Sequence, residues 1–94
     1  MKATLRGKRY DSDKMETIGE RDHYSHSNNY AGTTSLKRAS DGTYWTHTDS
    51  NGQSCHVTDG LWPCEDVLEE LEQINMTDEQ EKRVVELRLL AIVP

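Results

Sequence analysis

The stretch TTSLKRASDGTYWTHT, residues 33–48, carries the clearest β signal in the chain. Residues rich in Thr, Tyr and Trp lie on either side of Asp41 and Gly42, and such β-branched and aromatic residues favour strands. Glycine accepts a positive φ at little cost, so Asp-Gly between two β-prone runs is typical of a hairpin. We therefore predict that Asp41 and Gly42 join two antiparallel strands.

Weaker signals surround this hairpin. Alternating apolar and polar residues over 2–10 predict one strand with a thin apolar face, and residues 11–13 are typical of a turn or a helix cap. Residues 14–20 suit either a helical turn or a strand. The Ser- and Asn-rich residues 22–32 predict a loop, and residues 53–57 a further strand after a second turn.

The pattern becomes helical downstream. Residues 59–63 are predicted to interrupt the regular structure, with Pro63 at the first position of a helix. Residues 64–75 have apolar side chains at spacings of three and four and an acidic opposite face, which predicts an amphipathic helix. Its apolar face consists of Val67, Leu68, Leu71 and Ile74.

A second helix is predicted from Asp78 to about Ile92. Thr77 and Gln80 match a capping box at its start. Apolar residues cover most of this helix's circumference, so it requires cover from the sheet, the first helix or a second chain.

These elements predict a single α+β domain, residues 1–94. A small antiparallel sheet of three or four strands lies within 1–58, and two helices from 59–94 pack on one of its faces. Only 33% of residues are apolar, against a usual ~45–50%, and Phe is absent. The core must therefore be small.

The charge of the chain is concentrated in its C-terminal half. Residues 1–50 contain eight Lys/Arg and seven Asp/Glu, whereas residues 51–94 contain three and ten, so the net charge of −6 arises downstream. Phosphate contacts need cations, so we expect no direct nucleic-acid binding. This charge favours a basic protein surface as the partner, including one that normally holds nucleic acid.

The expected location is the cytoplasm. No apolar run reaches the ~20 residues of a membrane span, and Met1-Lys2 is not followed by an apolar signal segment. Two cysteines are too few for a disulfide scaffold, so reduced thiols are expected.

The acidic face of the first predicted helix suggests a docking surface. Like charges four residues apart repel by a few tenths of a kcal/mol, and a basic partner would relieve that repulsion. A merely solvated face is the alternative interpretation. Tyrosines in the loop and hairpin would add contact area at low entropic cost. The predicted partner-binding residues are Glu65, Asp66, Glu69, Glu70, Glu72, Tyr24, Tyr30, Tyr44 and Trp45.

The cysteines and histidines leave a small zinc-binding module or thiol enzyme open as an alternative. Their spacing is irregular, without C-x-x-C or H-x-x-x-H. A thiol near a helix start would have some thiolate character, but no glycine-rich oxyanion environment or phosphate loop accompanies it. We therefore expect no enzyme, metal or cofactor. The residues of this alternative are Cys55, Cys64, His23, His26, His47 and His56.

Two motifs resemble a family of small proteins from phages and mobile elements. GKRYDSDK at 7–14, followed by IGE at 18–20, is similar to the family's K-R-Y-D-[ST] opening and its I-G-E-like segment. LKRASDGTYW at 36–45 is similar to the family's hairpin. The resemblance covers about the first half of the chain. The family's glycine-rich G-E-G-G segment is absent, and TDSNG stands at 48–52 instead.

The resemblance implies a phage accessory protein, and small acidic phage proteins include anti-CRISPR proteins, which bind Cas effectors without catalysis. The expected function is therefore inhibition of a bacterial defence complex. The partner that the resemblance implies is a host protein or ribonucleoprotein complex with a basic surface, a Cas effector. Carboxylates would replace DNA phosphates and block nucleic-acid binding or subunit docking. A phage regulator or adaptor that binds another host protein is the alternative.

Overall fold

A computed structural model of the chain describes residues 1–24, 27–50, 57–91 and 93. It confirms the α+β class, with six strands and two helices in the described residues. The elements are β1 (Lys2–Leu5), β2 (Lys8–Asp11), a 3-10 turn (Ser12–Lys14), β3 (Glu16–Tyr24), β4 (Tyr30–Arg38), β5 (Tyr44–Ser50), β6 (Gly60–Pro63), α1 (Val67–Gln73) and α2 (Asp78–Glu86).

The central sheet is antiparallel, with the order β3-β4-β5-β6. The predicted hairpin is confirmed, since Arg38 pairs with Tyr44 across the turn. Gly42 has a φ of +90°, which a side-chain-bearing residue adopts only at a cost. The Asp41 carboxylate accepts hydrogen bonds from the Thr43 backbone N–H and hydroxyl, which fixes the turn.

Both helices pack on one face of this sheet, as predicted. Ile18 and Leu36 of the sheet form a buried cluster with Leu71, Ile74 and Val84 of the helical segment. We call this face the helix face. The described residues contain no helix that is both long and apolar enough to cross a membrane.

The opposite face is covered by the β1–β2 hairpin, with a second cluster formed by Tyr10, Ala39, Trp45 and Leu61. The Tyr10 and Trp45 rings lie 4.7 Å apart, between centroids, in a tilted arrangement. The Tyr10 hydroxyl donates to the Asp41 carboxylate at 2.6 Å. That hydrogen bond, with those from Thr43, holds the pKa of Asp41 well below its ordinary value.

The N-terminal segment differs from the prediction. Residues 2–10 form two strands instead of one, because Arg6 and Gly7 both have positive φ and turn the chain back. The predicted turn or cap at residues 11–13 is confirmed, since the Asp11 side chain caps the 3-10 turn. Within residues 14–20 the strand alternative is found, since β3 starts at Glu16 and the helical turn, Ser12–Lys14, reaches only the first of these residues.

The loop predicted over residues 22–32 is wrong at both ends. β3 continues to Tyr24 and β4 begins at Tyr30. Polar side chains in this stretch bond across the strands: the Thr33 hydroxyl donates to Asp22 at 2.8 Å, and His23 shares a hydrogen bond with Thr34 at 2.6 Å. A polar composition is therefore compatible with a strand here.

The predicted interruption at residues 59–63 is also wrong. Gly60–Pro63 is an edge strand that pairs with β5, and proline is tolerated at a sheet edge because no ladder hydrogen bond is lost. The first helix consequently starts at Val67, where the Asp66 side chain caps it. Residues 51–56, which include most of the strand predicted at 53–57, lie outside the described residues.

The second helix begins as predicted. Thr77 and Gln80 form both hydrogen bonds of the capping box. The helix ends at Glu86, earlier than predicted, because the chain turns at Arg88, whose φ is +62°. Leucines beyond the helix pack back against the helix-face cluster, which gives this apolar segment its cover.

Candidate functional site

A groove of about 370 Å³ lies between the start of α1 and the helix face of the sheet. Four of the five carboxylates predicted to bind a partner line it: Glu65, Asp66, Glu69 and Glu70. The fifth, Glu72, is exposed on α1 but does not belong to the lining. The structure therefore brings the predicted acidic residues into one concave site, which we call the acidic groove.

Local structure fixes the walls of the groove. The Cys64 backbone N–H donates to the Tyr44 carbonyl oxygen at 2.9 Å, which ties the chain before α1 to β5. The Asp66 side chain then accepts from the Glu69 backbone N–H at 3.1 Å and starts the helix. Because Leu71 and Ile74 are buried against the sheet, the acidic side of α1 faces outward.

An ion pair closes the inner end of the groove. Arg21 Nε of β3 lies 2.9 Å from Glu70 Oε1, and the Glu70 side chain is only 12% exposed. Glu70 therefore positions α1 on the sheet. Glu65 and Glu69 are exposed, and no cation among the described residues lies within ion-pair distance of either one.

Cys64 lines the groove as a half-buried thiol. Burial raises its pKa, and the charge of Glu70 raises it further. The thiolate character expected from a helix start is therefore not found, because the helix begins three residues later and carboxylates surround the sulfur. A protonated thiol is a poor nucleophile and a poor metal ligand.

The histidines in the described residues are dispersed. Burial, together with the positive charge of Lys37, lowers the pKa of His47, and His23 is bound to Thr34. Within residues 1–24, 27–50 and 57–91, no group of three or more His, Cys, Asp or Glu side chains is arranged to hold a metal ion. Cys55, His26 and His56 of the zinc or thiol hypothesis lie outside the described residues.

The structure separates the predicted aromatic residues into two groups. Tyr24 and Tyr30 are exposed where β3 ends and β4 begins, with ring centroids 6.4 Å apart in an edge-on arrangement. Trp45, in contrast, is 1% exposed, and Tyr44 is half-buried against the helix-face cluster. Trp45 cannot contact a partner without unfolding, and its assignment to the binding surface is corrected.

Two exposed apolar side chains near α1 were missed by the sequence reasoning. Trp62 on β6 is 46% exposed and Leu68 on α1 is 59% exposed. Trp62 pairs across the strands with Thr46, which lines the acidic groove. Its ring lies so close over Gly60 that a side chain there would overlap it. Leu68 has the spacing of the apolar face of the helix, which predicts burial, so the sequence does not indicate that it is exposed.

Comparison of the chain with protein-family models, with curated proteins and with solved structures finds no match. The protein is a small α+β domain whose sheet is covered by helices on one face and by a hairpin on the other, with an acidic groove beside exposed Trp and Leu side chains.

Proposed function

We propose that this protein is a non-enzymatic, phage-encoded inhibitor that binds a bacterial defence complex, a Cas effector, in the host cytoplasm. It binds through the acidic groove and blocks nucleic-acid binding or subunit docking. The observation that carries the proposal is the convergence of four carboxylates in one groove, three of them without a cation partner in the described residues. The resemblance of residues 7–20 and 36–45 to phage proteins supports the choice of target.

The charge around the groove favours a cationic partner. Residues 64–88 contain nine carboxylates and three Lys/Arg side chains. Such a one-signed field accelerates encounter with a basic surface, and it acts over about 8 Å at physiological ionic strength. A surface of Lys and Arg that normally holds phosphates meets these requirements.

The groove offers specific positions for partner side chains. Glu65 and Glu69 are free to accept charge-assisted hydrogen bonds from Lys or Arg, in the role of DNA phosphates. Trp62 and Leu68 supply the apolar contact that exposed ion pairs alone lack, since such pairs contribute roughly 0–1 kcal/mol each. Tyr24 and Tyr30 form a second contact region at the end of the sheet.

A regulator or adaptor that binds another host protein is the alternative, and it would use the same groove. The zinc-binding or thiol module has less support, because Cys64 keeps its proton and no metal-binding cluster is found among the described residues.

A competition experiment tests the proposal. The protein captures its target from a host lysate, and the purified target, a Cas effector complex, is then titrated with labelled target DNA in the presence of the protein. We expect the wild-type protein to displace the DNA, and a Glu65→Lys/Glu69→Lys variant to displace it at least about tenfold less effectively.

The matched control reverses two exposed carboxylates on α2, Glu79→Lys/Glu81→Lys, which changes the net charge equally. The control should keep most of the wild-type ability to displace DNA. Equal loss in both variants would mean that net charge alone matters, and failure of the wild type to affect DNA binding would reject the inhibitory mechanism.

A further inference from the structure

A second depression, of about 460 Å³, lies at the outer edge of the β1–β2 hairpin. Its rim carries three cationic side chains, Lys2, Arg9 and Lys14, all of them exposed. Tyr10 and Ala39, both buried, form its base. The depression is therefore concave, firmly backed by the core and cationic at its mouth.

These three cations are available to a ligand. No carboxylate in the described part of the chain lies within ion-pair distance of Lys2, Arg9 or Lys14. Arg9 Nη1 donates to the Thr4 hydroxyl at 2.8 Å, which orients the guanidinium while its other N–H groups stay available. Lys8 on the same strand differs, because it lies 3.7 Å from the Asp41 carboxylate.

One carboxylate, Asp11, shares the depression. It is already engaged, since its Oδ1 accepts from the Asp13 backbone N–H at 3.1 Å and caps the 3-10 turn. With three cations against this one carboxylate, the lining has a net charge of +2.

A further cation lies behind the turn. Lys37 Nζ donates to the Ser12 carbonyl oxygen at 3.3 Å. Ser12 is fully buried, so this hydrogen bond holds the ammonium of Lys37 near the turn, where its charge adds to that of the depression.

We propose that this depression is a binding site for a phosphomonoester. A phosphate monoester carries about −1.5 to −2 charges at pH 7, which matches the +2 of the lining. The planar fork of Arg9 suits bidentate contact with phosphate oxygens, and the exposed Ser40 hydroxyl at the rim can donate to a third oxygen. The cavity volume lies within the roughly 300–1,000 Å³ of small-molecule sites. The site is separate from the acidic groove, and the proposal does not rest on the proposed function.

The charge match gives the site a pH signature. The second pKa of a phosphomonoester is about 6, so the ligand loses one of its two charges in more acidic solution. Affinity for a monoester should fall as the pH is lowered through 6, whereas a phosphodiester keeps its single charge and should bind weakly throughout.

The test is a titration of the ¹⁵N-labelled protein, followed by the amide chemical shifts of residues 9–15 and 39–40. The probes are adenosine 5′-monophosphate, inorganic phosphate, and an oligonucleotide without terminal phosphates. We expect both phosphates to cause saturable shifts at pH 7.5 that weaken at pH 5.5. An Arg9→Gln/Lys14→Gln variant should bind at least about tenfold more weakly.

Lys8→Gln is the matched control, because it removes one cation from the same strand outside the depression, and circular dichroism verifies the fold of each variant. The control should keep wild-type affinity. No saturable shift with either phosphate, equal loss in control and site variants, or tighter binding of the oligonucleotide than of the monophosphate would overturn the proposal.

Discussion

The two layers that cover the central sheet differ in charge although they are held by the same kind of force. The hairpin layer, residues 1–15, has five Lys/Arg and two Asp side chains, whereas the helical layer, residues 64–88, has three Lys/Arg and nine carboxylates. Each layer nevertheless seals one buried apolar cluster against the sheet. Apolar burial therefore supports the fold on both faces, and the outward charges are available for binding.

The layers also differ in how they are anchored beyond apolar contact. The hairpin is anchored by the Tyr10–Trp45 aromatic contact and by Asp41, which accepts a hydrogen bond from Tyr10 and lies 3.7 Å from the exposed Lys8 ammonium. The helices depend on two ion pairs with β3: Arg21 with Glu70, and Arg83 with both oxygens of Glu16, at 2.8 and 3.2 Å. Substitutions in the hairpin layer and in the helical layer should therefore differ in their effects on the free energy of unfolding and on its pH dependence.

The largest expected effect distinguishes the two tryptophans. Trp45→Ala removes the centre of the hairpin-side cluster and should reduce the free energy of unfolding by about 3–5 kcal/mol. Trp62→Ala, at a half-exposed site, should reduce it by less than about 1 kcal/mol. Urea unfolding followed by far-UV circular dichroism measures both. Equal losses would show that the two faces of the sheet are not covered as described.

A smaller effect is expected at the helical anchor. Arg21→Ala leaves the nearly buried Glu70 carboxylate without its partner and should reduce the free energy of unfolding by about 1–3 kcal/mol. Arg21→Ala/Glu70→Ala should lose less than the two single variants added together, because the second substitution removes the unpaired charge. Strictly additive losses in this double-mutant cycle would refute the coupling.

The smallest effect concerns the hairpin anchor and depends on pH. The folded pKa of Asp41 is lowered, first by the Tyr10 hydroxyl, so its stabilising contribution is present above its unfolded pKa of about 3.9. That contribution is lost as the pH falls below this value towards the folded pKa. Tyr10→Phe should therefore destabilise the protein modestly at pH 7 and reduce its loss of stability below pH 4. Thermal unfolding between pH 2 and 7 tests this, with Tyr44→Phe as the control.

Local signals predicted part of the fold. The Asp41–Gly42 turn and the Thr77–Gln80 capping box were both correct, because each depends on residues only a few positions apart. The edge strand at 60–63 was missed, because its formation depends on pairing with β5, which lies some fifteen residues earlier in the chain. The hydrogen bond between Thr33 and Asp22 likewise cannot be predicted from the polar composition of residues 22–32, because it forms only when β3 pairs with β4.

The sequence likewise predicts only part of the geometry of the candidate site. Helical spacing predicts that the carboxylates lie on one side of the first helix, but the ion pair of Glu70 with Arg21 depends on a contact between residues 49 positions apart. Trp45 was assigned to the binding surface wrongly because the β1–β2 hairpin covers its face of the sheet. Since both faces of the sheet are covered, the alternation of side chains along β5 does not distinguish buried from exposed residues. Trp62 was missed together with its strand.

The measurement that tests the central claim most directly is the salt dependence of the association rate with the captured target. We expect the wild-type rate to fall steeply between 50 and 300 mM NaCl, because opposite charges steer the encounter. Glu65→Lys/Glu69→Lys should lower both the rate at 50 mM and its salt slope, whereas Glu79→Lys/Glu81→Lys should preserve most of each. Identical rates and slopes for the wild type and the groove variant would contradict docking through the acidic groove.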